Sequence, residues 1–287
     1  MKNISFWKMH GAGNDFFVIN PDIKTYKNHD WSQLAIKVCD RHFGVGADGI
    51  ILVLPSEVAD MRMQIINADG SEPEMCVNGI RCFVKYCLDQ NLCKDVDGSI
   101  TVETLSGIVK TKSIFNDEKL VTHVRLVLSE PDFDPLSVGV KTNLIPPVLD
   151  MNVDVGDAGM VSTDLVSMGN PHAISFIETD VFDYPLTSIG PLVENNKLFL
   201  NRTNFEIVNV RDRSNLTVRV WERGVGETLA CGSGACAVVA AAHTRGFVDS
   251  LVNVELPGGT LKIEWGGEGE IVLTGPVAKV FEGGWEV

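Results

Sequence analysis

The sequence is short of positive charge, and this shortage argues against binding to nucleic acid or to anionic membranes. Lysine and arginine together number 24 against 38 aspartates and glutamates, which gives a formal net charge of -14 at pH 7. Proteins that hold nucleic acid or anionic membranes without sequence selectivity rely on an excess of positive charge. We therefore expect no nucleic acid and no membrane surface among its partners, and a small soluble molecule instead.

We expect no segment that directs the protein to membranes or to secretion. Residues 1–8 contain no apolar leader, and no apolar run approaches the roughly 20 residues of a membrane-spanning helix. The seven cysteines form no C-x-x-C pair, and an odd number without a leader argues against a disulfide framework. We expect reduced thiols, no zinc or other metal, and a cytoplasmic location.

The hydrophobic pattern predicts an α+β fold whose two halves are alike in outline. A length of 287 residues favours two domains. Apolar residues at 80, 83, 84, 87 and 88 have the period of a one-sided helix, whereas segments 101–111 and 124–128 alternate as in a half-buried antiparallel sheet. Beyond a proline-rich segment at 131–147, similar strand-like runs recur, and an alanine-rich stretch at 234–243 predicts a second, sandwiched helix. We expect the domain boundary in that proline-rich segment.

Two cysteines occupy matching places in the two halves. Cys76 and Cys231 each follow a glutamate by four residues, precede a glycine by three, and stand at the start of a predicted helix. The unpaired N–H groups and partial positive charge of a helix N-terminus bind carboxylates and should bring a thiol pKa toward neutrality. A single cysteine is more often a small buried hydrophobe. A matched pair favours acid–base chemistry beside a carboxylate.

Two thiols on opposite sides of a small molecule can invert a stereocentre. One thiolate removes the α-proton from one face while the opposite thiol delivers a proton to the other. If the charge on the carboxylate is well stabilised, the reaction needs no Schiff-base lysine and no metal. The residues therefore predict a two-base racemase without a cofactor.

Four separated motifs resemble the diaminopimelate epimerase family. They are residues 8–16, 67–82, 168–172 and 222–236, in the family's order and spread over the whole chain. The resemblance implies a cofactor-independent enzyme that interconverts LL- and meso-2,6-diaminopimelate on the path to lysine and peptidoglycan precursors. It also implies a homodimer, and in each chain two α/β lobes around a central cleft, each a curved and mostly antiparallel sheet around a central helix. The lobes are expected at residues 1–130 and 131–274, with a C-terminal strand at about 275–287 that returns to the first.

The resemblance also assigns a role to each matching residue. Cys76 and Cys231 would be the two acid–base residues. The remaining assignments are Asn67 and Glu222 near the reacting ammonium group; Val77, Asn78, Gly232 and Ser233 at the N–H groups that hold the reacting carboxylate; Asn14, Asn170, Asn204 and Arg223 at the distal end of the substrate; and His172 and Glu227 in support.

Two positions depart from the commonest family pattern. Val77 replaces the glycine that usually follows the first cysteine, and a β-branched residue does not readily adopt a positive φ. Its N–H can still donate if the local backbone is helical. Gly49 stands where many members carry a glutamine that approaches the substrate, which puts some contacts around the site in question.

Three other functions predict different sequence features. The glycine-rich loops at 10–14 and 44–49 match neither nucleotide-binding pattern, so we expect no nucleotide. A related two-cysteine racemase of another amino acid would lack the residues for the distal end of the substrate, yet Arg223, Asn170 and Asn204 are present. A non-catalytic binding protein of the same build would lack one of the two cysteines.

Overall fold

The structure, a computed structural model, describes residues 3–286, which form seventeen strands and five α-helices. The strands are β1 (Asn3–Gly11), β2 (Asn14–Ile19), β3 (Gly49–Leu54), β4 (Met61–Asn67), β5 (Ser99–Thr104), β6 (Gly107–Phe115), β7 (Val121–Leu128), β8 (Met151–Asp154), β9 (Met160–Ser167), β10 (Pro171–Phe176), β11 (Asn204–Asp212), β12 (Asn215–Glu222), β13 (Gly226–Thr228), β14 (Leu251–Leu256), β15 (Gly259–Glu264), β16 (Ile271–Pro276) and β17 (Ala278–Glu286). The helices are α1 (Ile23–Asn28), α2 (Trp31–Val38), α3 (Val77–Asp89), α4 (Leu186–Glu194) and α5 (Gly232–Thr244), with 3-10 turns at Gly156–Ala158 and Val181–Asp183.

The chain divides into two units. Unit 1 runs up to Val127 and resumes at Thr274, and unit 2 spans Leu128–Leu273. The proline-rich segment at 131–147 contains no regular element and belongs to unit 2. The last strand, β17, pairs antiparallel with β1, with Ile4 opposite Trp285, so the C-terminal end of the chain lies in unit 1.

Unit 1 is a sheet covered by helices on both faces. From β1 to β6, neighbouring strands pair in the order antiparallel, parallel, antiparallel, parallel, antiparallel. Helix α3 contacts all six of these strands. Because successive side chains of a strand point to opposite faces, Phe17 and Ile19 of β2 pack on the other side, against Trp31 and Leu34 of α2.

Unit 2 has the same arrangement. Strands β9, β10, β11, β12, β14 and β15 pair as neighbours in the same order of directions, and β8 and β13 are added to β9 and β12. Helix α5 packs on one face of the sheet, and on the other Leu186 and Val193 of α4 join Phe205 and Ile207 in a buried cluster. The predicted α+β class is confirmed, with a mostly antiparallel sheet around a central helix in each unit.

No helix within residues 3–286 has both the length and the apolar character needed to cross a lipid bilayer. Nor do the described His, Cys, Asp and Glu side chains form a group of three or more arranged to hold a metal ion.

Candidate active site

Cys76 is the N-cap of α3, and its sulfur is part of the cap. Its backbone is extended, with φ -139° and ψ 113°, and Sγ accepts a hydrogen bond from the Gly79 N–H at 3.4 Å. Val77 is the first helical residue, so its backbone does not need the positive φ that a glycine would allow. The N–H groups of Val77 and Asn78 are thus among the first of the helix, which have no acceptor inside it.

Asn14 connects Cys76 to a carboxylate. The Cys76 thiol donates to Asn14 Oδ1 at 3.6 Å, and Asn78 Nδ2 donates to the same oxygen at 3.2 Å. On its other side Asn14 Nδ2 donates to Asp48 Oδ2 at 2.6 Å. Because a carboxylate only accepts, Asp48 fixes the amide with its oxygen toward the sulfur. Sequence reasoning had missed Asp48.

A buried arginine holds the start of α3. Arg81 is fully buried, and it donates from Nη2 to Asn78 Oδ1 at 2.8 Å and from Nε to Pro276 O at 3.1 Å. A Cβ on Gly11, at the end of β1, would come within 2.9 Å of Nη2 and 3.0 Å of Asn78 O, so a larger residue there would displace this guanidinium or the backbone beside it. The C-terminal part of the chain thereby helps to orient Asn78.

Asn67 and Gly49 lie opposite each other at the ends of β4 and β3. Asn67 Nδ2 donates to Ser71 Oγ at 3.0 Å, which holds the turn that leads toward Cys76. A Cβ at Gly49 would lie 2.5 Å from Ile66 O, so this backbone has no room for the side chain that many family members carry.

Cys231 is the N-cap of α5, with the same local geometry. Its φ and ψ are -118° and 116°, and Sγ accepts from the Gly234 N–H at 3.3 Å, with Ser233 Oγ 3.5 Å away. Burial, and then the carboxylates of Glu222 and Glu206, raise the pKa of Cys231 well above that of an ordinary thiol, although the hydrogen bonds to Ser233 and Gly234 oppose this. The expectation of a near-neutral pKa is therefore wrong for Cys231, because burial outweighs the helix N-terminus.

From Ser233 a line of hydrogen bonds runs into the interior of unit 2. Asn170 Nδ2 donates to Ser233 Oγ at 3.2 Å, and Asn170 Oδ1 lies 3.1 Å from His172 Nε2. His172 Nδ1 lies 2.7 Å from Glu206 Oε1, and both of these side chains are completely buried. Glu206 is a second residue that sequence reasoning missed.

The other expected residues of unit 2 lie at the ends of β11 and β12. Asn204 Nδ2 donates to Pro171 O at 2.8 Å, and Asn204 Oδ1 accepts from the Arg223 N–H at 2.9 Å. The Arg223 guanidinium donates to Asn201 O at 3.1 Å. These bonds join the starts of β10 and β11 to the turn that presents Arg223.

Glu222 and Glu227 have different surroundings. Glu222 Oε1 accepts from Thr228 Oγ1 at 2.5 Å, and the negative charge of Glu222 raises the pKa of Cys231. Glu227 accepts from Arg219 Nε at 2.8 Å, and Arg219 in turn donates to the backbone oxygen of Val181. The bond described for Glu227 thus supports the scaffold of unit 2.

The two units therefore present equivalent sets of side chains. Each set has a cysteine at a helix N-cap, a polar residue two positions later, and an asparagine within hydrogen-bond distance of that residue. The sets are Cys76, Asn78 and Asn14 in unit 1, and Cys231, Ser233 and Asn170 in unit 2. The resemblance implies that Asn14 and Asn170 bind the distal end of the substrate, and in the structure each lies beside the residues around a cysteine.

Comparison with known proteins gives consistent results. The sequence model described as diaminopimelate epimerase matches residues 6–126 and 165–280. Proteins named diaminopimelate epimerase are 45% identical over 279 residues in Moorella thermoacetica (97% of this chain, 98% of the relative) and 47% identical over 280 residues in Desulfitobacterium hafniense (96% of each).

Solved structures share the fold at low identity. A phenazine biosynthesis protein of the PhzF family from Bacillus anthracis has a TM-score of 0.71 at 18% identity, with all of both chains covered. A hydroxyproline epimerase from Agrobacterium vitis has a TM-score of 0.70 at 14% identity, covering 99% of this chain and 91% of that one. From the family match and the near-full-length relatives, the chain belongs to the diaminopimelate epimerase family.

Proposed function

We propose that this protein interconverts LL- and meso-2,6-diaminopimelate, with Cys76 and Cys231 as the two acid–base residues. The observation that supports the proposal most strongly is that both units contain the same arrangement of a cysteine at a helix N-cap. Each unit begins a 13-residue helix with a cysteine whose sulfur accepts the N–H three residues later. In a chain of this family, that arrangement places a thiol beside the N–H groups that can hold a carboxylate.

The reaction requires the two thiols to address opposite faces of one α-carbon when substrate is bound. One sulfur, as thiolate, removes the proton, and the other returns a proton to the opposite face. The first N–H groups of α3 and α5, from Val77, Asn78, Gly232 and Ser233, would stabilise the charge that develops on the reacting carboxylate. Because the pKa of Cys231 is raised, this thiol is suited to donate in the direction that begins with proton removal by Cys76.

The remaining side chains fit a zwitterionic substrate with two ammonium and two carboxylate groups. Glu222 and Asn67, which end equivalent strands, would bind the reacting ammonium group. Arg223 would bind the distal carboxylate through two parallel N–H bonds, assisted by Asn204. His172 would support the asparagine beside Ser233, and Glu227 the turn around Arg219.

We also propose a homodimer that acts in the cytoplasm. Both follow from the resemblance to the family and from the expectation of reduced thiols. Sedimentation at micromolar concentration measures the assembly, and a monomer active at the same concentration would contradict the dimer.

The experiment is epimerisation in deuterated water. Purified protein with LL-diaminopimelate should form the meso isomer with one deuterium at the inverted carbon, measured by mass spectrometry. Replacing Cys76 or Cys231 by Ala should abolish inversion, and each variant should lose proton exchange more severely for one isomer, because each thiol serves one face. Cys93→Ala is the matched control, since it removes a half-buried thiol outside both sets.

Two results would contradict the proposal. Equal exchange from both isomers in both single variants would show that the thiols do not divide the faces. Exchange at proline or another amino acid, with none at diaminopimelate, would instead favour a related racemase with a different substrate.

A further inference from the structure

Glu206 is a buried carboxyl group to which the mechanism above gives no role. It lies in β11, completely buried, and its Oε1 is 2.7 Å from His172 Nδ1 in the neighbouring parallel strand β10. Its second oxygen, Oε2, is buried with no hydrogen-bond partner among the described residues. Burying a carboxyl group with one oxygen unpartnered destabilises a protein, so the pair costs folding free energy.

The contacts of Asn170 determine where the protons of this line of hydrogen bonds lie. Because Asn170 donates from Nδ2 to Ser233, its Oδ1 faces His172 Nε2. An amide oxygen only accepts, so Nε2 must carry a hydrogen. His172 Nδ1 and Glu206 Oε1 then share one further proton at 2.7 Å.

The same reasoning fixes the hydroxyl group of Ser233. Its oxygen accepts from Asn170, and Cys231 Sγ lies 3.5 Å away. The hydroxyl hydrogen is therefore available to the sulfur. From His172 Nε2 onward every bond of the line then points the same way, through Asn170 and Ser233 to Cys231.

We propose that Glu206 is a positioning residue for the reaction: through His172 it fixes the Asn170 amide and so turns the Ser233 hydroxyl proton toward Cys231 Sγ. This inference rests on the proposed function, in which that sulfur carries negative charge whenever Cys231 acts as the base. A donated hydrogen bond stabilises the charged sulfur over the neutral thiol.

Unit 1 has no such line of hydrogen bonds at the equivalent positions. In the strand registers, Phe16 stands opposite Gly49 as His172 stands opposite Asn204. Likewise a Cβ on Gly79 would meet Ile51, whereas a Cβ on Gly234 would meet Glu206. Phenylalanine and isoleucine thus occupy the places of the histidine and the glutamate.

The two sulfurs also differ in their neighbours, because one faces a hydrogen-bond acceptor and the other faces a group that can donate. Cys76 faces the amide oxygen of Asn14, an acceptor, which favours the neutral thiol. Cys231 faces the hydroxyl group of Ser233, which can donate. The charged or titratable groups of unit 2 around Cys231 are Glu222 of β12, Glu206 of β11 and His172 of β10, and both carboxylates oppose the thiolate. A directed donor is what this thiol needs to act as a base.

The test compares Glu206→Leu with Glu206→Gln. Leucine removes the partner of His172 Nδ1, so the line of hydrogen bonds loses its direction. Glutamine can donate its amide N–H to Nδ1, which keeps the hydrogen on Nε2 and the rest of the line intact. Ser233→Ala removes the last donor at a half-buried position, and it tests the same line if the leucine variant folds poorly.

The readout is the pH dependence of alkylation by iodoacetamide, followed for each cysteine by peptide mass spectrometry without substrate. In Glu206→Leu and in Ser233→Ala the midpoint for Cys231 should rise by about one pH unit, the tenfold change expected for one hydrogen bond to a charged group. The midpoint for Cys76 should stay in place as an internal reference. The double variant should shift no further than either single one, because both act on one line.

A catalytic readout accompanies the chemical one. In Glu206→Leu, exchange of the α-proton should fall about tenfold more for the isomer that Cys231 deprotonates than for the other, whereas Glu206→Gln should stay near wild type.

Four outcomes would overturn the inference. An unmoved or lowered midpoint for Cys231 in Glu206→Leu would mean that the carboxylate acts only through its charge. Equal shifts in the leucine and glutamine variants, equal shifts at Cys76 and Cys231, or additive shifts in the double variant would point to general packing. Because alkylation needs no substrate, failure of the wild type to epimerise diaminopimelate would count against the proposed function alone.

Discussion

The ion pair at the end of α5 gives a quantitative prediction of stability. Arg245, the C-cap of this helix, binds Asp164 through two hydrogen bonds of 2.6 Å and Asp150 through a contact of 2.8 Å. The two partners differ in environment, since the side chain of Asp164 is 1% exposed and that of Asp150 is 70% exposed. Substituting each by asparagine removes one charge and keeps the shape of the side chain.

We expect very different costs from the two substitutions. Asp164→Asn leaves Arg245, itself only 16% exposed, beside a neutral amide whose NH2 group faces the guanidinium donors. Loss of one partner from a buried pair costs about 3–5 kcal/mol, and the remaining contact with Asp150 places this case at about 3 kcal/mol. Asp150→Asn breaks an exposed pair and should cost less than about 1 kcal/mol. Asparagine also tolerates the positive φ of 56° at position 150.

The assay is urea unfolding at pH 7, followed by circular dichroism and compared through the midpoint at constant slope. Asp164→Asn should lower the midpoint several times more than Asp150→Asn, while epimerisation by Asp150→Asn stays at the wild-type rate. Equal destabilisation by the two variants would refute the reasoning, because it would show that burial does not set the value of this pair.

Three further predictions concern the site and its surroundings. Arg223→Lys should reduce epimerisation at least about tenfold with the fold intact, because an ammonium group lacks the paired N–H bonds of a guanidinium, and unchanged kinetics would make Arg223 structural. Burial raises the pKa of Asp15, but hydrogen bonds from basic neighbours, Arg41 foremost, outweigh it and hold the pKa below the usual aspartate value of 3.8. The stability from this group is thus complete above about pH 4 and is lost as the pH falls through the lowered pKa, so Asp15→Asn should flatten the acid limb of a stability curve, and an unchanged limb would contradict this. Because the proposed mechanism requires both sulfurs to reach one α-carbon, mild oxidation should link Cys76 to Cys231 and inactivate the enzyme reversibly, and bound substrate should suppress the linkage. Peptide mapping that found other cysteines linked would count against the thiol assignment.

The elements that could be predicted from the sequence are those with a strong local period. The apolar spacing from Ile80 to Leu88 predicts a helix that the structure places at Val77–Asp89, directly after Cys76. Helix α2 has a comparable pattern, since Trp31, Leu34, Ala35 and Val38 are buried at helical spacing after an Asp30 cap. The helix was not predicted, because eight residues are too few for this pattern to identify a helix.

The parts of the site that the sequence did not reveal depend on contacts between distant residues. Glu206 lies 34 positions after His172, and only the parallel pairing of β10 and β11 brings the two together. The local pattern around Glu206 is that of a buried strand, which does not identify the partner of a buried carboxyl group. Asp48 is likewise separated from Asn14 by two helices. The positions of Cys76 and Cys231 at the starts of two helices, by contrast, are predicted by a local repeat in the sequence.

The sulfur caps of α3 and α5 imply a conflict between folding and the proposed chemistry. Serine, aspartate and asparagine are the better N-caps, because their oxygen accepts a backbone N–H more strongly than a sulfur 3.3–3.4 Å away. A serine at either position should therefore leave a protein that melts at an equal or higher temperature and no longer turns over. At each of these two positions, replacing sulfur by oxygen is expected to increase the stability of the fold. A screen for thermostable variants should therefore recover inactive proteins with a serine at position 76 or 231.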